Sequence, residues 1–579
     1  MPTINPFDKD KFVGYVSKVT PEITKVHFPN SKLLKKFYYD GDVLHSGIVR
    51  SYVVIEGEGY GFLAKIISIE LPEKERMFLS ESSFQNTNLH PVGSVEIQLC
   101  FDLFEDLQAR KGLDNFPPVG AKVYSCPVSF IHSFIKNFGT DSLSEVDDLL
   151  EMGFLPELES EKVNVSANAL FSRHCAIVGT TGSGKSYSMA KLIEELIKKD
   201  NAKVILLDAT GEYQNLGLTS ENVEIAPTKD CFHYKNLLVQ DLYSIYRPAG
   251  QVQVPKLIEA IRSLKIVDLA NTLNLTKLDT DGPNINHGLL HKAGTKRSPF
   301  LNFYYTNSDK LNENNINFDI TRLPMQIVQE CAWENDLDWG NIYENHRSNC
   351  SSLILRIQQR MEDDSFGAIF NFKNAARNDL GSIINKFVAT ENSNKLLRIN
   401  LSDVPKETDL IEILTNAIGR KLFNLAKEGN FKTRPVICFL DEAHIFLNKK
   451  IKDEYSLEVE LDAFDRIAKE CRKYGLFLCL STQRPRDIPQ GVLSQMGTFI
   501  AHRLINQFDR QAVEAASPEG SKNLLAFLPS LGKGDAILMG VDFPMPINLK
   551  IGKVEDKNKP NSHTPLMFVR KPIPIDEEE

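Results

Sequence analysis

The chain has 579 residues, of which 42% are hydrophobic and 25% charged, a composition ordinary for a folded protein and without low-complexity tracts. Its net charge of −9 argues against a passive nucleic-acid coat, which would be basic overall, but leaves room for a ring that grips DNA through a few basic loops. No apolar run approaches the ~20 residues of a membrane span, and "MPTINPFDKDKF" has no secretory apolar segment, so a cytoplasmic protein without membrane contact is expected.

In chain order, the first ~125 residues read as all-β. "KFVGYVSKVTPEITKVHF" (11–28) and "SYVVIEGEGYGFLAKIISIEL" (51–71) each read as two strands around a turn. "SVEIQLCFDLF" (94–104) places Val95, Ile97, Leu99, Phe101 and Leu103 on one face at period two. Short strands with close turns predict a small barrel, ending near the Pro/Gly break "NFPPVGAKVY". From about Ser166 strands alternate with helices. "HCAIVG", "KVILLD", "LLRINL", "VICFLD" and "GLFLCLS" are continuous apolar runs, as expected of parallel strands covered on both faces. Cys175, Cys438 and Cys479 fall inside such runs and read as small buried hydrophobes. Residues 226–394 are mainly helical in pattern and read as an insertion that separates two parts of one nucleotide-binding core.

"GTTGSGKS" (179–186) fits G-x-x-x-x-G-K-[ST] between a strand and a helix. Gly179, Gly182 and Gly184 let the backbone curl around phosphate oxygens, together with Thr180, Thr181 and Ser183. Lys185 is expected on the β/γ-phosphates, Ser186 on Mg²⁺, and Tyr187 beside the nucleotide at the start of the helix. "VICFLDEAHIF" ends an apolar strand in Asp441, suited to Mg²⁺, and Glu442, suited to polarising the attacking water. "DEAH" also occurs in a large helicase superfamily, but the late "QRxGRxGR"-type motif of its second core is missing here. Gln483, ending "GLFLCLSTQ", stands where a γ-phosphate or water sensor would be. "VILLDATGEY" puts Asp208 at another strand end, a further Mg²⁺ candidate, with Glu212 four residues on. "FDRIAKECRKYG" offers Arg466 and Arg472, and Arg173 precedes the first core strand. Each could act on a neighbour's γ-phosphate or simply face solvent.

Together "RHCAIVGTTGSGKS", "VILLDATGEY", "VICFLDEAH", "RIAKECRKYGLFLCLSTQRPRDIPQGVLSQ" and "LPSLGKGDAILMG" resemble the HerA branch of the FtsK–HerA superfamily of hexameric DNA-translocating ATPases. The chain departs from the family's common "DPHGEY" and "AREGRKYG" blocks, having "DATGEY" and "AKECRKYG", with Lys469 in place of an arginine. The resemblance implies an α/β fold with a RecA-like P-loop ATPase core, an N-terminal small β-barrel and a helical insertion. The implied boundaries are a partner-docking barrel over 1–125, a linker over 126–165, core over 166–225, insertion over 226–394, core again over 395–550, and an extended tail over 551–579. It further implies ATP and Mg²⁺ as cofactors and a homohexamer with double-stranded DNA in its pore. Arg173, Arg466 or Arg472 would reach across subunits. A nuclease or sirtuin-like effector would dock on the barrel face, in DNA end processing or antiphage defence. The alternative is a ring scaffold that binds ATP to assemble and activate an effector without translocation.

Overall fold

The computed structural model describes residues 6–30, 34, 37–39, 42–44, 47–73, 89–103, 109–110, 115–135, 138–139, 148–156, 158–217, 220–389, 393–406, 409–447, 449–451, 459–517 and 525–561. Strands β1 (Phe12–Val19), β2 (Thr24–His27), β3 (Tyr52–Glu56), β4 (Tyr60–Glu70), β5 (Val92–Asp102) and β6 (Lys122–Ser125) form the N-terminal unit. They run in the order β2-β1-β6-β3-β4-β5, and β2 pairs with β5 to close the barrel.

The period-two reading of β5 holds only in part. Leu99 pairs with Leu63 while Ile97 pairs with Ala64, so Gln98 is an extra residue and the strand carries a β-bulge. The bulge reverses the face: Val95 lies inside the barrel with Val13, Val26 and Phe62. Leu99 and Phe101 point the other way, into a cluster that contains Phe130 and Ile131 of helix α1 (Val128–Ile135) and Ile177 and Met189 of the ATPase core. The barrel and the core are therefore joined by one apolar layer.

The second sheet has eleven strands. In chain order these are β7 (Leu149–Leu155), β8 (Leu158–Ser166), β9 (His174–Val178), β10 (Lys203–Asp208), β11 (Ser220–Glu224), β12 (Leu396–Asn400), β13 (Val436–Leu440), β14 (Leu476–Thr482), β15 (Met496–Ala501), β16 (Asp535–Gly540) and β17 (Ile547–Ile551). The order across the sheet is β8-β7-β17-β16-β15-β9-β14-β13-β10-β12-β11. The seven strands from β15 to β11 are mutually parallel. Their central members are buried along their whole length, which is why they read as unbroken apolar runs. With β14 between β9 and β13, this is the RecA-like arrangement, and the fold is α/β with an N-terminal barrel.

The expected linker at 126–165 is structured. It contains α1 and the hairpin β7–β8, which extends the sheet by pairing antiparallel with β17. No local signal gives this, because β7's partner lies almost 400 residues later. The insertion contributes α3 (Val239–Tyr246), α4 (Gly250–Thr272), α5 (Leu323–Gln329), α6 (Glu344–Glu362) and α7 (Leu380–Val388), with two small hairpins. Leu242, Leu257, Ile357 and Ile384 share one apolar cluster with Ile205 and Leu440 of the sheet, so the insertion is packed onto the core. Of the expected tail, residues 551–561 lie against the core, whereas 562–579 fall outside the described residues. All nine cysteines are buried. Among the described residues no helix is long and apolar enough to cross a membrane.

Candidate nucleotide-hydrolysis site

The P-loop joins β9 to helix α2 (Lys185–Ile197). Gly182 and Gly184 have φ of 73° and 118°, values that a side chain disfavours. Gly179 is needed for a different reason: a Cβ there would stand 2.6 Å from both His502 Cβ and Ser183 Oγ. Ser183 is buried and closes the loop on itself, its hydroxyl donating to the Thr180 carbonyl (2.7 Å). Thr180 N–H donates to the Arg503 carbonyl (2.9 Å), and Gly534 N–H donates to the Ser183 carbonyl (3.0 Å), so the ends of β15 and β16 brace the loop from behind. His502 completes that brace. Its Nδ1 faces the Asp535 carbonyl (2.8 Å), which leaves Nε2 to accept from Ser188 (2.8 Å). Burial pushes the imidazole down to about 4, so it stays neutral.

Lys185 is buried, with Nζ 3.3 Å from the Thr180 carbonyl. Burial holds its pKa below the ordinary value, while Glu442, Asp441 and Glu212, in that order, pull it back up. The three carboxylates therefore converge on this amine from two neighbouring strands. Glu442 follows β13 with φ 48° and ψ 51°, a left-handed conformation that costs a non-glycine residue of order 1 kcal/mol and aims its side chain into the site. Burial pushes the Glu442 carboxyl up, but His444, Lys185 and the Gln483 backbone N–H outweigh it and hold the group below its ordinary value. His444 Nδ1 lies 3.3 Å from Glu442 Oε2 and 3.3 Å from Thr482 Oγ1. Gln483 reaches the P-loop directly, its Oε1 accepting from Thr181 Oγ1 (2.5 Å). The sheet order puts it there, because β14 runs between the P-loop strand and the acidic strand.

Asp441 is buried and accepts from Thr210 Oγ1 (2.8 Å). Burial, reinforced by the like charges of Glu442, Asp208 and Glu212 and opposed by the Thr210 bond, raises its pKa to about 8. Glu212 is also raised, mainly by burial, with Ser186 against it, and its Oε2 is buried without a hydrogen-bond partner. Crowded carboxyls, with Glu212 and Glu442 oxygens that lack hydrogen-bond partners near the Ser186 hydroxyl, fit a divalent cation. Among the described residues no group of three or more His, Cys, Asp or Glu side chains could hold a metal ion. Mg²⁺ is usually held by one or two carboxylates together with substrate phosphates and water.

Two expected residues are placed differently. Asp208 sits at the end of β10, but Arg398 of β12 holds its Oδ2 through Nε (2.8 Å) and Nη2 (2.6 Å). Gly211 N–H (2.7 Å), Tyr213 N–H (3.2 Å) and the Thr210 hydroxyl (3.4 Å) also donate to the Asp208 carboxylate. This carboxylate anchors the "DATGEY" loop, while Glu212 interacts with Ser186. The Tyr187 hydroxyl accepts from Val554 N–H (2.7 Å), so it faces the C-terminal segment.

The three arginines lie at the other edge of the sheet. The P-loop, Asp441, Glu442 and Gln483 follow the carboxyl ends of the parallel strands; Arg173, Arg466 and Arg472 precede the amino ends of β9 and β14. The seven residues of β14 alone separate these edges by roughly 20 Å. His174 binds the two arginine-bearing segments together: Nε2 donates to the Ala468 carbonyl (2.9 Å) and Nδ1 accepts from Leu478 N–H (2.9 Å). Arg466 stacks on Phe423 (4.4 Å) and lies 4.0 Å from Glu470. Lys469 is paired with Asp465 (2.7 Å). Arg173 and Arg472 are exposed, and neither forms an ion pair with a described residue.

The motif order, the RecA-like sheet and the converging acids agree with two family profiles. "Helicase HerA, central domain" matches residues 150–422, and "Helicase HerA-like C-terminal" matches residues 418–548. The chain is a HerA-like ATPase. A probable helicase of Methanocaldococcus jannaschii is 24% identical over 578 residues, 95% of this chain and 92% of that protein. The DNA double-strand break repair helicase HerA of Pyrococcus furiosus is 23% identical over 416 residues, 70% of each chain. Solved structures similar to this HerA-like chain include VirB4 of Thermoanaerobacter pseudethanolicus, with 13% identity, a TM-score of 0.40 and coverage of 72% of this chain and 100% of that one. The plasmid coupling protein TrwB in complex with ADP and Mg²⁺ has 12% identity, a TM-score of 0.40 and coverage of 73% and 99%.

The residues that sequence reasoning missed are Thr210, His444, Arg398, His502 and Gly534. His444 could have been noticed two residues after Glu442. The others come into place only through pairing of distant strands.

Proposed function

We propose that this chain assembles as a homohexameric ring that hydrolyses ATP to move along double-stranded DNA, with each active site completed by a neighbouring subunit. The observation that carries this reading is the separation of Arg173 and Arg472 from the P-loop of their own subunit. Exposed arginines on the edge of the sheet away from their own P-loop support a role in trans, on a second copy's γ-phosphate. The double-strand break repair helicases among its relatives support duplex DNA as the track.

In this mechanism the P-loop amides and Lys185 hold the β- and γ-phosphates. Ser186 and Asp441, with Glu212 beside them, would hold Mg²⁺, which would supply charge neutralisation for the phosphates. Glu442, kept ionised by its cationic surroundings, takes the proton of the attacking water. Gln483 orients that water and, through Thr181, senses the P-loop. Arg472 and Arg173 of the neighbour stabilise the transition state. Arg466 is the weaker finger candidate, since its guanidinium is already stacked and paired. The barrel serves as the docking face for a nuclease or another effector. Tyr15 and Val119 are exposed there, and Gly120 N–H joins the two segments through the Val16 carbonyl (2.8 Å).

The test is steady-state hydrolysis with and without linear duplex DNA, coupled to displacement of a triplex-forming strand. Duplex is expected to raise turnover several-fold and the strand to be displaced, both lost in Lys185→Ala. No stimulation and no displacement, with an effector still activated by Glu442→Gln, would replace the motor by the ring scaffold.

A further inference from the structure

After β17, residues 552–561 stay against the core. They cross the outer side of α2 and end on the "DATGEY" loop. Gly552 N–H donates to the Met152 carbonyl (2.9 Å) and Val554 N–H to the Tyr187 hydroxyl (2.7 Å). Glu555 N–H donates to Glu194 Oε1 of α2 (3.1 Å). Asn558 is 5% exposed and bridges two elements. Its Nδ2 donates to the same Glu194 Oε1 (2.7 Å), and its Oδ1 accepts from Gly217 N–H (3.1 Å), just beyond the "DATGEY" loop. A carboxylate on one side and an N–H on the other fix the orientation of the amide. Finally Asn561 N–H donates to the carbonyl of Glu212 itself (2.7 Å), and Asn215 Nδ2 lies 3.4 Å from Asn561 Oδ1.

We propose that Asn558 and the strap around it position Glu212 against Ser186, so that the strap sets the affinity of the P-loop site for the metal-bound nucleotide. The reasoning is geometric. Ser186 opens the helix that the strap grips at Glu194, and Glu212 sits on the loop that the strap grips at Gly217 and at its own carbonyl. Asn558 touches neither nucleotide nor metal; it is a positioning residue. Without it, the loop keeps its Asp208–Arg398 anchor, but the far side of the loop is released from α2. The phosphate-binding amides and Lys185 do not touch the strap, so binding of metal-free nucleotide is left unchanged.

This inference rests on the Mg²⁺–nucleotide reading above, and binding separates the two. A fluorescent ADP analogue is titrated into the full chain in excess Mg²⁺ and in EDTA. The native chain is expected to bind more tightly with Mg²⁺. Asn558→Ala is expected to bind equally well in EDTA but to lose about tenfold of the gain from Mg²⁺, as with other supports of metal-site groups. Glu212→Gln should lose a similar gain, and the double variant should lose little more, because both act on one contact. Lys559→Ala, an exposed neighbour paired with Asp556, should leave the gain unchanged. A Mg²⁺ gain unaltered in Asn558→Ala, with only a lowered Tm, would overturn the proposal and leave the strap a structural tie. A native chain that shows no Mg²⁺ gain at all would overturn the metal reading and this inference with it.

Discussion

Glu442→Gln is expected to bind ATP as tightly as the native chain and to lose turnover by at least a hundredfold, the low end of what a positioned general base contributes. The glutamine keeps the shape and the left-handed backbone but cannot take a proton. The native carboxyl is suited to that task because His444, Lys185 and the Gln483 N–H keep it ionised despite burial. Its neighbour Asp441 is in the opposite condition, pushed up to about 8 by burial and like charge, and is suited to partnering a cation instead. Two adjacent acids are thus given different work by their surroundings. Phosphate release in a single-turnover mixture, beside a nucleotide-binding isotherm, checks the expectation. Retention of more than a tenth of the native rate would remove Glu442 from the role of base.

Arg398→Ala is expected to cost about 3–5 kcal/mol of stability, because it leaves the carboxylate of Asp208 buried without its partner. Both side chains are almost fully enclosed, at 2% and 0% exposure. The loss should appear as a large fall in Tm or urea midpoint. Adding Asp208→Asn to an Arg398→Met background should recover part of it, since no charge is then stranded, while the bonds to Gly211 and Tyr213 remain incomplete. A fall of less than 1 kcal/mol for Arg398→Ala would show that Asp208 is not held as described and would return it to the list of metal ligands.

Arg398 also shows where the sequence stops being informative. The P-loop, Asp441, Glu442 and Gln483 were legible because each is a local event, an apolar strand ending in a loop with a particular side chain. Their meeting follows from the strand order of a RecA-like sheet. The role of Asp208 was not legible, because its partner lies on a strand that returns only after the helical insertion. Spacing alone made Asp208 a metal candidate; the pairing of β10 with β12 brings Arg398 onto its carboxylate. The same reason hid the β7–β8 hairpin, whose partner β17 is near the other end of the chain. The bulge at Gln98 was hidden for a smaller one: a regular period-two alternation gives no sign of an inserted residue. The fold class needed only local pattern and motif order, whereas the wiring of the site needed the tertiary pairings.

The arginines gain most from the structure. By sequence Arg466 and Arg472 could not be separated. Stacking on Phe423 and proximity to Glu470 now occupy Arg466, whereas Arg472 is exposed, forms no ion pair with a described residue, and lies between Ala468 and Leu478, both of which bond His174. A subunit-mixing experiment tests the shared active site most directly. Lys185→Ala chains keep their arginines and lack a working P-loop; Arg472→Ala chains keep their P-loop and lack the finger. Each alone is expected to be inactive in hydrolysis. Mixed and reassembled, they are expected to regain activity, because some interfaces then pair an intact P-loop with an intact arginine. Full activity of Arg472→Ala alone, or no recovery on mixing chains that do co-assemble, would contradict a site completed by the neighbouring subunit.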